Sequence, residues 1–434
     1  MFIEKFTKRV STIVGRDIFI SIINFFITTY VVNSLGPKLF GLWVGVLSFL
    51  AICDLFFMLK IDQLIIFYSG KYPNNIYLYK QISIISLKAL IIAGIIIYFS
   101  HEYIINFFDL NSAYFLLAVY LNFFISIFGN IIFYIFLSES KYNEYNFSIL
   151  FQAIINGLFI VILFQTKEAS IFLPLISLMA SWIAVIIFFL ISRIMRPNNT
   201  KISKLEIDLK DKDILQKGFF IYASAAGRGF SDQIPRLFAI NFLGPANVGF
   251  IGLAQVIVTL LNRVPVAINT VLYPMLVKEE IDELGKCFMV VRVLLIIFAP
   301  IILLLGLIMP YFILFFYGEN FSTSSTYIRL ILPFIYIGIP GFILSSYFAA
   351  KGRFKDLFYI NISAAIFSLL CLYAVSFFSL EYAPIASLNI TFLTITLSSI
   401  LVLSRERERD KINLFPKVND LRKLIIFIRS YFKK

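Results

Sequence analysis

Apolar residues in this chain run in long unbroken stretches, and do not recur every second or every third to fourth position as in half-buried strands and helices. Ala113 to Leu137 and Ala383 to Leu403 each pass without one ionisable residue. Roughly 17–25 apolar residues are what a bilayer span requires. The pattern predicts an all-α polytopic membrane protein of about twelve transmembrane helices. They are expected near 12–35, 39–59, 82–99, 113–137, 147–165, 170–192, 215–243, 247–272, 287–310, 325–349, 357–379 and 383–404. Pro37, Pro73, Pro197, Pro245 and Pro384, with polar clusters around Asn74, Asn198 and Lys351, punctuate the boundaries. Lys5, Lys8 and Arg9 precede the first span, and no small-residue cleavage site follows at Leu35. That span therefore reads as a retained signal-anchor.

Composition agrees with this. Hydrophobic residues make up 60% of the 434 and charged residues 15%, with a mean hydropathy of +0.90, whereas soluble domains carry roughly 25% charged residues. The basic residues are sided. Of 38 Lys and Arg, 29 fall on one side of the predicted membrane and only Lys38 and Lys167 on the other. The remaining seven lie inside spans: Arg16, Lys88, Arg228, Arg236, Arg263, Arg292 and Arg329. Positive charge accumulates on the cytoplasmic side, so both termini are expected there. The net charge of +13 is thus a topology signal and points to no nucleic-acid partner.

A motif occurs twice. Leu35-Gly36-Pro37-Lys38-Leu39-Phe40-Gly41 joins the first two spans, and Leu243-Gly244-Pro245-Ala246-Asn247-Val248-Gly249 joins the seventh and eighth. Both read LGPxxxG at equivalent places, each in an external turn. The longest cytoplasmic loop lies between the halves. The expected organisation is an N-terminal six-helix lobe (1–192), a linker (193–214), a C-terminal six-helix lobe (215–404) and a tail (405–434). Six spans, a linker and six spans is the layout of a transporter built from two repeats.

The LGPxxxG turn resembles that of the polysaccharide and oligosaccharide exporters of the multidrug/oligosaccharidyl-lipid/polysaccharide (MOP) flippase superfamily. Tyr317-Gly318-Glu319-Asn320-Phe321 and Ala349-Ala350-Lys351-Gly352-Arg353-Phe354-Lys355 are similar to the same family. The likeness is greatest to O-antigen-unit flippases. It implies two six-helix lobes around a central cavity in the bacterial inner membrane. The implied substrate is a polyprenyl-diphosphate-linked oligosaccharide moved from the inner to the outer leaflet.

The intramembrane charges bear on that expectation. A charge near the bilayer centre costs at least ~2.5–3.5 kcal/mol on insertion scales. Arg228, Asp232 and Arg236 recur at i, i+4 and i+8 and share one helix face. One Asp cannot neutralise two Arg. Arg263 lies mid-span in the eighth helix, and Arg16 lies with Asp17 in the first. Guanidinium forks suit pyrophosphate oxygens, so Arg16, Lys88, Arg228, Arg236 and Arg263 are the candidate diphosphate-binding residues. The alternative is structural pairing between helices, for example Arg16 or Arg263 with Asp54. Arg292 and Arg329 lie near span ends and are expected to snorkel. Asp17, Asp54 and Asp232 are candidates for a coupling H⁺ or Na⁺, and each has a plausible Arg partner.

The rest of the chain is quieter. His101 falls in an external loop without metal-ligand neighbours, and Cys53, Cys287 and Cys371 show no pairing pattern. No GxxxxGK[ST] loop is present, and no cofactor or metal is implied. Asn24, Asn122, Asn130, Gln152, Asn156, Asn262 and Asn269 are expected mainly to hydrogen-bond across helices, and some of them to line a wet cavity. Leu414, Val418, Leu421, Ile425, Ile428 and Phe432 line one face of a basic tail helix suited to the cytoplasmic membrane surface. Glycosyltransferases or a polymerase of the same pathway are possible partners of that helix. A polytopic glycan polymerase, ligase or glycosyltransferase would need a sizeable external loop with catalytic acids. Every external loop here is under roughly 20 residues, so no catalytic residue is assigned and the chain is not read as an enzyme. A multidrug or cation exporter of the same superfamily is the nearer rival. It would be expected to offer acidic cavity residues, whereas basic intramembrane residues outnumber acidic ones here.

Overall fold

The computed structural model describes residues 2–58, most of 91–108, 113–138, 142–195, 212–278 and 283–405. Helices account for nearly all of these: α1 (Phe2–Met58), α2 (His101–Phe108), α3 (Ala113–Ser138), α4 (Tyr142–Thr166), α5 (Phe172–Met195) and α6 (Lys212–Phe242). They continue with α7 (Pro245–Lys278), α8 (Glu283–Tyr317), α9 (Ser322–Ala350), α10 (Phe354–Ser376) and α11 (Ala383–Ser404). The first two expected spans are the limbs of α1, which breaks at Gly36 (φ 67°, ψ 175°) before Pro37. Spans four to twelve correspond to α3–α11. The third lies mostly outside the described residues, as do the 196–211 part of the linker and the tail beyond 405. Eight described helices are long and apolar enough to cross a membrane, with Phe19–Leu55 counted as one. The chain is a multi-pass membrane protein.

One expectation is corrected in the loop before α3. His101 does not sit in an irregular loop but in helix α2.

The helices fall into two compact units. One comprises Phe19–Gly229 and Arg236–Gly249, and the described part of the other covers 2–18, 230–235, 250–278 and 283–405. In the first, α3 packs on α5 where a Cβ at Gly129 would overlap the Trp182 ring. Phe133 lies 5.4 Å from that ring. Asn122 Nδ2 donates to the Leu175 carbonyl at 3.1 Å, and Ser177 Oγ donates to Asn156 Oδ1 at 2.7 Å. These are interhelical bonds, as expected for polar groups in hydrocarbon.

In the second unit, α9 carries Pro333 and Pro340. A proline ring displaces the helix carbonyls one turn back and removes an N–H donor. Partners arrive from α11. Asn389 Nδ2 donates to the Leu330 carbonyl at 3.1 Å, and Thr396 Oγ1 to the Ile337 carbonyl at 2.8 Å. Both acceptors lie three residues before a proline, and both the prolines and their α11 partners are spaced by seven. Asn269 Nδ2 of α7 donates to the Phe342 carbonyl at 2.8 Å.

The four positive-φ glycines of the described residues, Gly36, Gly244, Gly318 and Gly352, all fall in the motifs singled out above. At the end of α9 the Gly352 N–H bonds the Ala349 carbonyl and the Arg353 N–H bonds the Phe348 carbonyl, a Schellman stop. Arg353 stacks over Phe348 at 5.0 Å and bonds Asp356 at 2.6 Å, which braces the turn.

Candidate substrate site

Helix α6 is the least apolar of the long helices, because its middle carries Arg228, Asp232 and Arg236 along one stripe. All three are half-buried, and all three are engaged in polar interactions. Arg236 Nη1 donates to Ser48 Oγ at 3.4 Å, and Ser48 Oγ donates to the Val44 carbonyl at 3.0 Å. Ser48 is fully buried in the second limb of α1. Two turns away on each helix, a Cβ at Gly229 would overlap Leu55 Cδ1. The two helices therefore run antiparallel in close contact, with pairs 48/236 and 55/229 in register. The glycine admits this approach and brings Arg228 and Asp54 to the same level. Asp54, half-buried, is likewise engaged.

Arg263 differs. It is half-buried in α7, within the candidate membrane span Pro245–Asn269, and makes no hydrogen bond or ion pair with any described residue. At ~1.5 Å per residue along a helix, Arg228, Asp232 and Arg236 follow one another at intervals of about 6 Å along α6. Of the other candidates, the side chains of Arg16 and Asp17, and all of Lys88, lie outside the described residues.

Arg292 corrects an expectation. It does not snorkel: only 8% of it is exposed, and it is engaged. Arg329 is exposed, as snorkelling requires. Ser48 was not singled out from the sequence. The signal was its place two turns from both Gly41 and Leu55 on one face of its helix, but a lone serine in an apolar span is a common sight. Among the described residues no group of three or more His, Cys, Asp or Glu is placed to hold a metal ion.

A family model described as Polysaccharide biosynthesis protein matches residues 6–280. No curated protein matches the chain. Among solved structures, the lipid II flippase MurJ in an inward closed conformation superposes with a TM-score of 0.69 at 16% identity, covering 96% of this chain and 93% of that one. An inward-facing multidrug resistance MATE family transporter of the MOP superfamily gives 0.68 at 15% identity, covering 90% and 95%. The Vibrio cholerae MATE transporter VcmN in its bent form gives 0.60 at 14%, covering 95% and 99%. At these identities the likeness is one of fold, and the fold is the MOP transporter fold.

Proposed function

Because the chain belongs to the polysaccharide biosynthesis protein family, whose model covers residues 6–280, we propose that it is a flippase for a polyprenyl-diphosphate-linked oligosaccharide. It carries a surface-polysaccharide repeat unit, such as an O-antigen unit, from the inner to the outer leaflet of the bacterial inner membrane. In this reading 1–192 and 215–404 form two lobes around a central cavity, both termini are cytoplasmic, and the chain transports without catalysing a covalent step. The observation that carries it is Arg263, a half-buried intramembrane cation without a partner among the described residues. Leaving such a charge in hydrocarbon costs ~2.5–3.5 kcal/mol or more on insertion scales, and an anionic cargo offsets that cost when it binds. A diphosphate offers oxygens for bidentate guanidinium contacts. Arg228, Arg236, Arg16 and Lys88 are the further candidates for holding the diphosphate in this reading. Asp54 and Asp232, with Asp17, are the groups available to a coupling H⁺ or Na⁺, and the membrane potential is the other possible drive.

A cationic-drug exporter would need acids free to meet its cargo, and both described intramembrane acids, Asp54 and Asp232, are already engaged. The test is complementation of a flippase-null strain with an Arg228→Ala, Arg236→Ala, Arg263→Ala triple variant. Surface polysaccharide is expected to disappear while protein level holds. Normal polysaccharide from that variant would remove these arginines from the substrate path.

A further inference from the structure

We propose that the two LGPxxxG turns form a glycine clasp, a main-chain contact that shuts the end of the protein bearing both turns and parts once in each transport cycle. Within the first unit, a Cβ at Gly41 would overlap the Pro245 carbonyl oxygen and lie 2.8 Å from the Gly249 nitrogen. A Cβ at Gly249 would overlap the Pro37 carbonyl oxygen and lie 3.3 Å from the Gly41 nitrogen. The contact is reciprocal: each motif's last glycine sits on the other's proline carbonyl. That is the geometry of a local two-fold axis between the copies of the motif. Backbones approach this closely only where both partners lack a side chain, as at small-residue helix crossings in membranes. The Cα–H groups then point at carbonyl oxygens, a weak bond that forms and breaks at low cost.

Gly36 and Gly244, five residues before Gly41 and Gly249, do another task. A Cβ at either would meet nothing within 4 Å. They are glycines because φ is 67° and 82°, a region L side chains rarely adopt. Each motif thus spends its first glycine on turning the chain and its last on the contact. This division explains why Gly-Pro alone, sufficient for a turn, is followed by a further glycine four residues on. A contact in which each glycine meets main-chain atoms suits a closure that opens repeatedly, since nothing charged is desolvated at the glycines when it re-forms.

The inference rests on the flippase reading for its transport readout alone. In a chain with Cys53, Cys287 and Cys371 replaced by Ala, Lys38→Cys and Ala246→Cys place one thiol on each turn. Joining them with a short, reducible bifunctional methanethiosulfonate is expected to stop export at least tenfold, and dithiothreitol is expected to restore it. Full export from completely cross-linked protein would overturn the clasp as a moving part. If the uncross-linked pair fails to export in a background that folds normally, the flippase reading fails. The clasp is then read by a second arm that needs no transport. There, Gly41→Ala and Gly249→Ala are each expected to raise maleimide labelling of the single thiol Val248→Cys, at a position fully buried in this structure, several-fold. Gly306→Ala, whose Cβ meets nothing within 4 Å, is expected to leave it unchanged. Unchanged labelling in folded Gly41→Ala and Gly249→Ala proteins would overturn the closed contact. Should a glycine variant fail to accumulate, the cross-linking arm decides, because it keeps both glycines.

Discussion

Two arginines of the candidate site stand in opposite electrostatic situations, and single substitutions should separate them. Arg236 reaches Ser48 at 3.4 Å from a helix that also carries Asp232, whereas Arg263 has no partner among the described residues. Removing a charge that nothing compensates relieves a desolvation cost, so Arg263→Ala is expected to stabilise the protein, by as much as ~2.5 kcal/mol. Removing one member of an engaged pair leaves the other stranded, so Arg236→Ala is expected to destabilise it. Thermal unfolding in detergent checks both signs. If the arginines also hold a diphosphate, both variants lose export although their stabilities move in opposite directions. Arg263→Lys should restore export only in part, because an ammonium keeps the Coulomb attraction and loses the bidentate fork. Surface polysaccharide in the complemented null strain gives that comparison.

At the scale of elements, α9 shows how a membrane helix tolerates two prolines. Each ring exposes carbonyls that hydrocarbon cannot solvate, and α11 answers with Asn389 at Leu330 and Thr396 at Ile337. Interhelical bonds of this kind contribute ~0.6 to 1.7 kcal/mol in membranes. Asn389→Leu and Thr396→Val are each expected to lower stability by about that much. The pair should lose the sum, since the two sites lie two turns apart and do not share a partner. A detergent melt of the single and double variants measures both quantities. The motif Ala349 to Lys355 belongs to the same class of local solution: a Schellman stop with Arg353 on Phe348.

For the whole molecule the decisive quantity is topology. Reporter fusions at Asn74, Asn198 and Lys351 are expected to report cytoplasm, and fusions at Asn111, Pro245 and Asn320 the outside. One reversal in the middle of that series would break the alternation on which the sidedness of the basic residues rests. The basic tail is separable from this scheme. Deleting residues from Asn413 onward is expected to leave every span inserted while weakening attachment to anionic vesicles, an effect that grows as ionic strength falls. Failure of the truncated chain to insert would make the tail part of the fold.

The placement of the spans that the structure describes and the duplicated turn were legible in the sequence. The reason is that these features are local. Hydrocarbon excludes charge and demands that each segment satisfy its own backbone, so a run such as Ala383 to Leu403 declares a helix without reference to any neighbour. Turn glycines are local too, because Gly36 and Gly244 answer to their own φ. Pairing is not local. Nothing along the chain distinguishes Arg292, which is buried, from Arg329, which is exposed, or ties Ser48 to Arg236 across 188 residues. Only packing decided that Gly41 meets Pro245 and Gly249 meets Pro37, and that Arg263 is left without a partner among the described residues. Those outcomes depend on which helix faces touch, a property of the assembled bundle that the hydrophobicity of each span leaves free.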